Sequence, residues 1–319
     1  MQLVRQNEKP VIKPHRTACA VLVALLIGAA ASGCADGGDE GAAGQGEPAA
    51  GQPGAAAAQA GPAAAAAAAE TRAEAELLNR QQAARVAVAK RWGLSEVPLT
   101  APAPPAEKPH IATREGFEVE GGEDLPPVFT TVPTKERIVF LTMDDGAEKD
   151  PELLRMMSEL NIPYSAFLSD YEVSDDYGYF KEMQAHGVTL NNHTLTHPYL
   201  PGLSEEDQRR EICGSQDRIE KRLGKRPTLF RPPYGNYNGD TLRVAKSCGI
   251  EAVPLWAAEA FPDRMEWREW DRDLHPGDII LTHFRGPDDW DGSMADMIRN
   301  VMRTVTGKGY AVARLEDYV

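Results

Sequence analysis

Two carboxylates stand side by side at Asp144 and Asp145, directly after Arg137-Ile138-Val139-Phe140-Leu141. That β-branched, aromatic and apolar run reads as a buried strand. Charge delivered to the end of a buried strand needs a partner, and a metal ion or a proton-transfer role supplies one. The plain alternative is an Asp-Gly turn. A second element is His193-Thr194-Leu195-Thr196-His197, which holds two of the chain's 7 histidines within five residues. Histidines at i and i+4 share one face of a helical turn and can grip one ion. One aspartate with two histidines leaves room for water, which is the layout of a catalytic metal rather than a closed structural one.

Two further stretches carry chemistry. In Arg231-Pro232-Pro233-Tyr234-Gly235, prolines stiffen a turn and a glycine lets the backbone approach a ligand. It offers an arginine for a carboxylate and a backbone N–H at Tyr234 for an oxyanion. Ile279-Ile280-Leu281-Thr282-His283 is a buried strand that ends on a histidine able to donate a proton. As successive residues of an extended segment, Asp144 and Asp145 are expected to point apart and to serve two tasks.

The elements that position these residues alternate. Strands are expected at 138–143, 164–168, 188–191, 229–231, 251–255, 278–282 and 311–314. Helices are expected at 151–160, 179–186, 204–223, 240–248 and 295–306, with Ser204 and Asp207 opening the third and Gly224 closing it. Asp144 and Asp145, Asn192 and His193, Arg231, and His283 all fall at the C-termini of these strands. Such β/α repetition makes a parallel sheet, closed into a barrel or left open, and in a barrel that edge collects the chemistry. No glycine-rich phosphate loop follows the first strand, which counts against a dinucleotide-binding sheet.

Together and in this order, Thr-x-Asp-Asp-Gly, His-Thr-x-x-His, Arg-x-Pro-Tyr-Gly and Leu-x-His resemble the polysaccharide deacetylase family (carbohydrate esterase family four). The resemblance covers about Arg137 to Val319. It implies an α/β fold, a distorted (β/α)7-8 barrel, and a metal-dependent hydrolase of amide bonds other than peptide bonds. It implies Asp145, His193 and His197 as ligands of a divalent metal, most often zinc. Asp144 matches the general base, Arg231 the residue that orients it, and Tyr234 the backbone donor to the oxyanion. His283 matches the general acid, and Leu281 the wall of the acetyl pocket. The sequence departs from the family pattern at Met143, Ala147 and Thr189. It departs most where an Asp-Trp pair is usual near the acid histidine. Counting from Trp256 puts Glu259 on the first acid of that motif, and Asp263 or Glu266-Trp267 are the candidates to replace the pair.

The rest of the chain divides by composition. Arg5, Lys9, Lys13 and Arg16 lead into an apolar run from Ala18 to Ala30, shorter than the roughly 20 residues that span a bilayer. Ala31-Ser32-Gly33-Cys34 then resembles a bacterial lipobox, which implies cleavage of residues 1–33 and lipidation of Cys34. Residues 34–69 read as a low-complexity flexible tether, 70–93 as a helix, 94–134 as a proline-rich connection and 135–319 as the catalytic domain. A net charge of −14, from 48 acidic and 34 basic residues, counts against nucleic-acid binding. Cys213 and Cys248 remain in the processed chain, and a disulfide and two free thiols are equally compatible with their spacing. The leading expectation is an extracytoplasmic, membrane-anchored deacetylase of N-acetylglucosamine-containing cell-wall glycan or a chitin-like polymer. The alternatives are an O-acetyl esterase acting on xylan and a non-catalytic glycan-binding lipoprotein.

Overall fold

A computed structural model of the chain describes residues 62–319. The expected signal, Cys34 and most of the tether lie outside the described residues. Residues from Glu74 to Val319 form one compact unit.

Its elements run α1 (Pro62–Arg91), β1 (Val128–Phe129), β2 (Ile138–Asp145), α2 (Pro151–Leu160), β3 (Ser165–Leu168), α3 (Asp170–Val173), α4 (Tyr177–Ala185), β4 (Thr189–Asn192) and α5 (Glu205–Leu223). They continue with α6 (Gly239–Ser247), β5 (Val253–Pro254), β6 (Ala258–Ala260), β7 (Met265–Trp267), β8 (Ile279–His283), α7 (Met294–Gly307) and β9 (Ala311–Ala313). The main sheet has seven strands in the order β4-β3-β2-β8-β6-β7, with β9 beside β2, and a smaller sheet pairs β1 with β5. All pairings are parallel except β6 with β7. Single bridges Asn192–Phe230 and Leu229–Ala252 carry the β4 edge toward β5. This is a distorted α/β barrel.

The expected strand over 229–231 is reduced to those two bridges, because Pro232 and Pro233 lack the N–H groups that would extend a ladder. Three short strands had no legible pattern. β1, β6 and β7 span only 2, 3 and 3 residues, too few for a period of two to register.

β2 shows how the core is divided. All eight of its residues are buried. Val139, Leu141 and Met143 join the apolar cluster under α2 and α7, and Ile138 and Phe140 join the one that holds Phe167, Phe230, Ile279 and Leu281. Alternation of side chains across a strand produces this split, and it places Asp144 on the face of Phe140 and Thr142, inside the barrel. β8 follows the same rule, since Ile279 and Leu281 lie in the inner cluster and Ile280 in the outer. His283 is therefore delivered to the inner face.

The helices end where local chemistry ends them. Ser204 accepts from the Asp207 N–H at the start of α5, and Gly224 closes it in the left-handed conformation. α1 begins at Pro62, eight residues before the expected start, because the alanines that read as tether are the best helix formers. Its C-terminal end is docked. Ala89 and Trp92 join the cluster under α2 and α7, the Trp92 indole donates to Glu159 at 2.6 Å, and Arg299 donates to the Trp92 carbonyl at 2.8 Å. No helix among the described residues is long and apolar enough to cross a membrane.

Cys213 on α5 and Cys248 at the end of α6 form a disulfide across 35 residues. Closing a loop of that size stabilises the fold by about 4 kcal/mol on the chain-entropy model.

Candidate functional site

Asp144 and Asp145 do not diverge as strand alternation predicts. Asp145 takes a left-handed backbone, φ 76°, which breaks the alternation and swings its carboxylate back over the barrel mouth. Both aspartates then approach one imidazole, with His193 Nε2 3.7 Å from Asp144 Oδ2 and 3.5 Å from Asp145 Oδ1. Gly146 follows at φ 94°, where a Cβ would lie 2.5 Å from Val173, so the turn tolerates no side chain.

The histidine pair converges, but not on a helical turn. Residues 193–199 are an irregular loop with Thr194 at φ 74° and His197 at φ 57°. The Asn192 side chain accepts from the Thr194 N–H at 2.8 Å, and Thr194 Oγ1 accepts from the His197 N–H at 3.0 Å. Glu211 on α5 caps the loop from outside, accepting from the Leu195 and Thr196 N–H groups at 3.0 and 2.8 Å. These side-chain bonds offer the backbone an alternative to the helix that i, i+4 spacing anticipates. The imidazole rings end 4.8 Å apart.

His197 Nε2 lies 3.4 Å from Asp145 Oδ1. Asp145 Oδ1 is buried and has no hydrogen bond, since at 3.4–3.5 Å the imidazole nitrogens are charge neighbours and not donors. His193 Nδ1 is 2.7 Å from the Arg231 carbonyl, an acceptor only, so Nδ1 carries a hydrogen and Nε2 is the nitrogen left to face Asp145. Two donors bound at ~2.1 Å on tetrahedral angles lie about 3.4 Å apart, which matches both Asp145–imidazole spacings. An orphaned buried carboxylate oxygen between two inward imidazole nitrogens is a donor set that fits a divalent cation, and among the described residues it is the one such cluster.

The local field agrees. Burial alone raises a carboxyl, yet the neighbouring His193, with His283 and His197, holds Asp145 well below the usual carboxylate range. Burial pushes His193 down, but Asp144 and Asp145 outweigh it and raise it above its ordinary value. Burial and the neighbouring His193 push His197 down to about 4, so it stays neutral with a lone pair to give. The centre stabilises positive charge, whether carried by a proton or by a metal.

Arg231 is wholly buried. It donates to Asp144 Oδ1 at 2.7 Å, to Thr142 Oγ1 at 3.0 Å and to the Pro254 carbonyl at 2.8 Å, and its guanidinium lies 4.3 Å from the centre of the Phe167 ring. Tyr234 also has a left-handed backbone, φ 60°, and its half-exposed ring packs edge-on against His197 at 4.7 Å.

His283 ends β8 beside Leu281, whose strand partner is Glu259. Glu259 Oε1 is 3.6 Å from His283 Nδ1. Among the described residues neither Asp263 nor Glu266, the acids expected to substitute in the family pair, makes an ion pair with His283. Asp263 and Glu266 are exposed and occupied by Arg264. The acid beside His283 is Glu259, whose own carboxyl burial raises. Glu259→Gln is expected to keep metal content unchanged and to lower turnover about tenfold, the equivalent of ~1.4 kcal/mol of lost charge stabilisation. Turnover equal to the unsubstituted protein would remove Glu259 from the reaction.

Sequence reasoning placed Asn192 at a strand end without giving it a role, and it missed Glu211 and Arg285, which donates to Asp145 Oδ2 at 2.8 Å. Glu211 sits mid-helix and Arg285 in a loop, and neither position has a spacing that marks it.

The sequence from 131 to 253 matches the family model described as "Polysaccharide deacetylase". That range holds Asp144, Asp145, His193, His197, Arg231 and Tyr234, and leaves Leu281 and His283 outside. An uncharacterised protein of Streptomyces coelicolor is 38% identical over 218 residues, covering 68% of this chain and 87% of that one. A peptidoglycan-N-acetylglucosamine deacetylase of Bacillus cereus is 29% identical over 171 residues, 49% of this chain and 77% of that one. A family 4 carbohydrate esterase from Bacillus anthracis shares the fold with TM-score 0.52 at 24% identity, over 69% of this chain and 98% of that one. With the Streptomyces relative spanned over most of its length and the family model laid over the aspartate, histidine and arginine stretches, the chain belongs to the polysaccharide deacetylase family.

Proposed function

We propose that the protein is a divalent-metal-dependent hydrolase that removes acetyl groups from N-acetylated glycan, with N-acetylglucosamine-containing cell-wall polymer as the substrate class. The observation that carries this reading is the orphaned Asp145 Oδ1 between the two imidazole nitrogens, with a second, separately held carboxylate beside it. The name of the Bacillus cereus relative supports the substrate class.

Asp145, His193 and His197 would hold the ion. When bound, a divalent cation supplies Lewis acidity and lowers the pKa of water from 15.7 toward about 7. Asp144 takes a proton from the attacking water, with Arg231 fixing one of its oxygens and the other facing the site. The water oxygen bonds to the acetyl carbon, and the Tyr234 N–H serves the oxyanion. The C–N bond then breaks, His283 gives its proton to the leaving nitrogen, and acetate and a free amine result. Leu281 walls the acetyl methyl.

The test is acetate release from N-acetylated oligosaccharide and from acetylated xylan, each with and without chelator. Release from the amide substrate that stops in chelator is expected. Full activity of metal-free protein would sink the mechanism, and a preference for xylan would move the activity to ester hydrolysis.

We further propose that Cys34 carries a lipid and holds the enzyme outside the cytoplasmic membrane. The disulfide supports an oxidising compartment. Cys34→Ala is expected to leave the membrane fraction or to remain unprocessed. A correctly processed variant that stays with the membrane would remove the anchor.

A further inference from the structure

The two aspartates share a pattern that the family motifs do not describe. Each has one oxygen tied by an arginine and the other turned to the site. Asp144 gives Oδ1 to Arg231 at 2.7 Å and leaves Oδ2 toward His193. Asp145 gives Oδ2 to Arg285 at 2.8 Å and leaves Oδ1 toward His193 and His197. The first arginine is wholly buried, whereas the side chain of the second is 31% exposed.

The backbone leading into Arg285 stays paired beyond the end of β8. The Phe284 N–H donates to the Asp144 carbonyl at 3.1 Å, and the Glu148 N–H donates to the Phe284 carbonyl at 3.1 Å. These two bonds continue the β2–β8 pairing past the end of the sheet. Phe284 is wholly buried and packs edge-on against Phe180. Gly286 lies so close to Glu148 that a Cβ there would sit 2.6 Å from its carboxylate. The loop therefore delivers a guanidinium to Asp145 on a fixed backbone, and among the described residues Asp289 at 3.9 Å is its one other carboxylate at ion-pair distance.

We propose that Arg285 is a positioning residue that keeps Asp145 a one-oxygen metal ligand. This rests on the metal reading above. A free carboxylate can close on a cation with both oxygens. Here Oδ2 already has a charge-assisted donor, so Oδ1 alone is offered, and a coordination position stays open for water and substrate. Without Arg285, Oδ2 is a buried oxygen with no donor, and such groups take the nearest available partner. That partner is the metal.

The experiment is the crystal structure of the zinc-loaded protein, with Arg285→Ala and Arg285→Gln beside it. In the unsubstituted protein, Oδ1 is expected on the metal with Arg285 still on Oδ2. In R285A, Oδ2 moves to coordination distance, ~2.0–2.2 Å. R285Q keeps an N–H donor without the charge and is expected to restore the one-oxygen arrangement. An R285A site in which Oδ2 stays off the zinc overturns the inference, and so does an unsubstituted protein in which Arg285 has left Asp145 for Asp289. A protein that takes up no zinc at Asp145, His193 and His197 overturns the metal reading itself, which is a separate failure.

Discussion

Asp144→Asn should keep its metal and lose about 10²- to 10⁴-fold in turnover, the usual worth of a general base, whereas Asp145→Asn should lose the metal. The two changes are chemically identical and sit on adjacent residues, so only position separates them. At 144 the amide oxygen can still accept from Arg231, but the amide nitrogen has no lone pair for a proton from water. None of the candidate ligand atoms belongs to Asp144. At 145 the amide must present its oxygen either to the imidazole nitrogens or to Arg285. The first choice turns an NH₂ toward the Arg285 guanidinium, donor against donor, and the second turns it toward the metal. Either choice weakens binding, and excess metal should restore activity in part. The measurement is metal content beside acetate release for both variants, with thermal unfolding as the control on folding. Metal lost from D144N and kept in D145N would reverse the two roles. Unchanged turnover in both would mean that this stretch is not the catalytic centre.

Arg231→Met should lower stability by about 3–5 kcal/mol, the usual cost of breaking a buried ion pair from one side. The arginine is wholly buried and its partner Asp144 is 2% exposed, so the Oδ1 left behind has neither water nor its guanidinium donor. Burial lowers the pKa of Arg231, and the charge of Asp144 opposes that, so each group makes the other's burial tolerable. The double variant Arg231→Met with Asp144→Asn removes both charges and should recover part of the loss. For a domain of this size 3–5 kcal/mol corresponds to a fall of roughly 6–20 °C in Tm. A melting temperature within a degree of the unsubstituted protein, or a double variant less stable than R231M, would refute the pairing as a stability element. Arg231→Lys should not rescue, because one ammonium cannot meet Asp144, Thr142 and the Pro254 carbonyl together or lie flat over Phe167.

Periodicity and composition determined much of this protein. The α/β alternation, the helix that runs from Pro151 to Leu160, the caps at Ser204 and Gly224, and the placing of Asp144, Asp145 and His283 at strand ends are consequences of local patterning. A side chain's burial and a helix's start are short-range properties, and four short motifs carried the family resemblance for the same reason. The tertiary structure decided what depends on backbone conformation and distant partners. Asp145, Thr194, His197 and Tyr234 all take left-handed φ values, a conformation that costs a non-glycine residue on the order of 1 kcal/mol or more. No pattern of residue types reports it, and it is held here by contacts from other elements, such as Glu211 on the histidine loop. That strain turned two aspartates expected to diverge onto one imidazole, and it replaced an expected helical turn by a loop. Glu259 and Arg285 reach His283 and Asp145 from 24 and 140 positions away along the chain. Their roles belong to the closed barrel, because only the packed sheet brings those strand ends together.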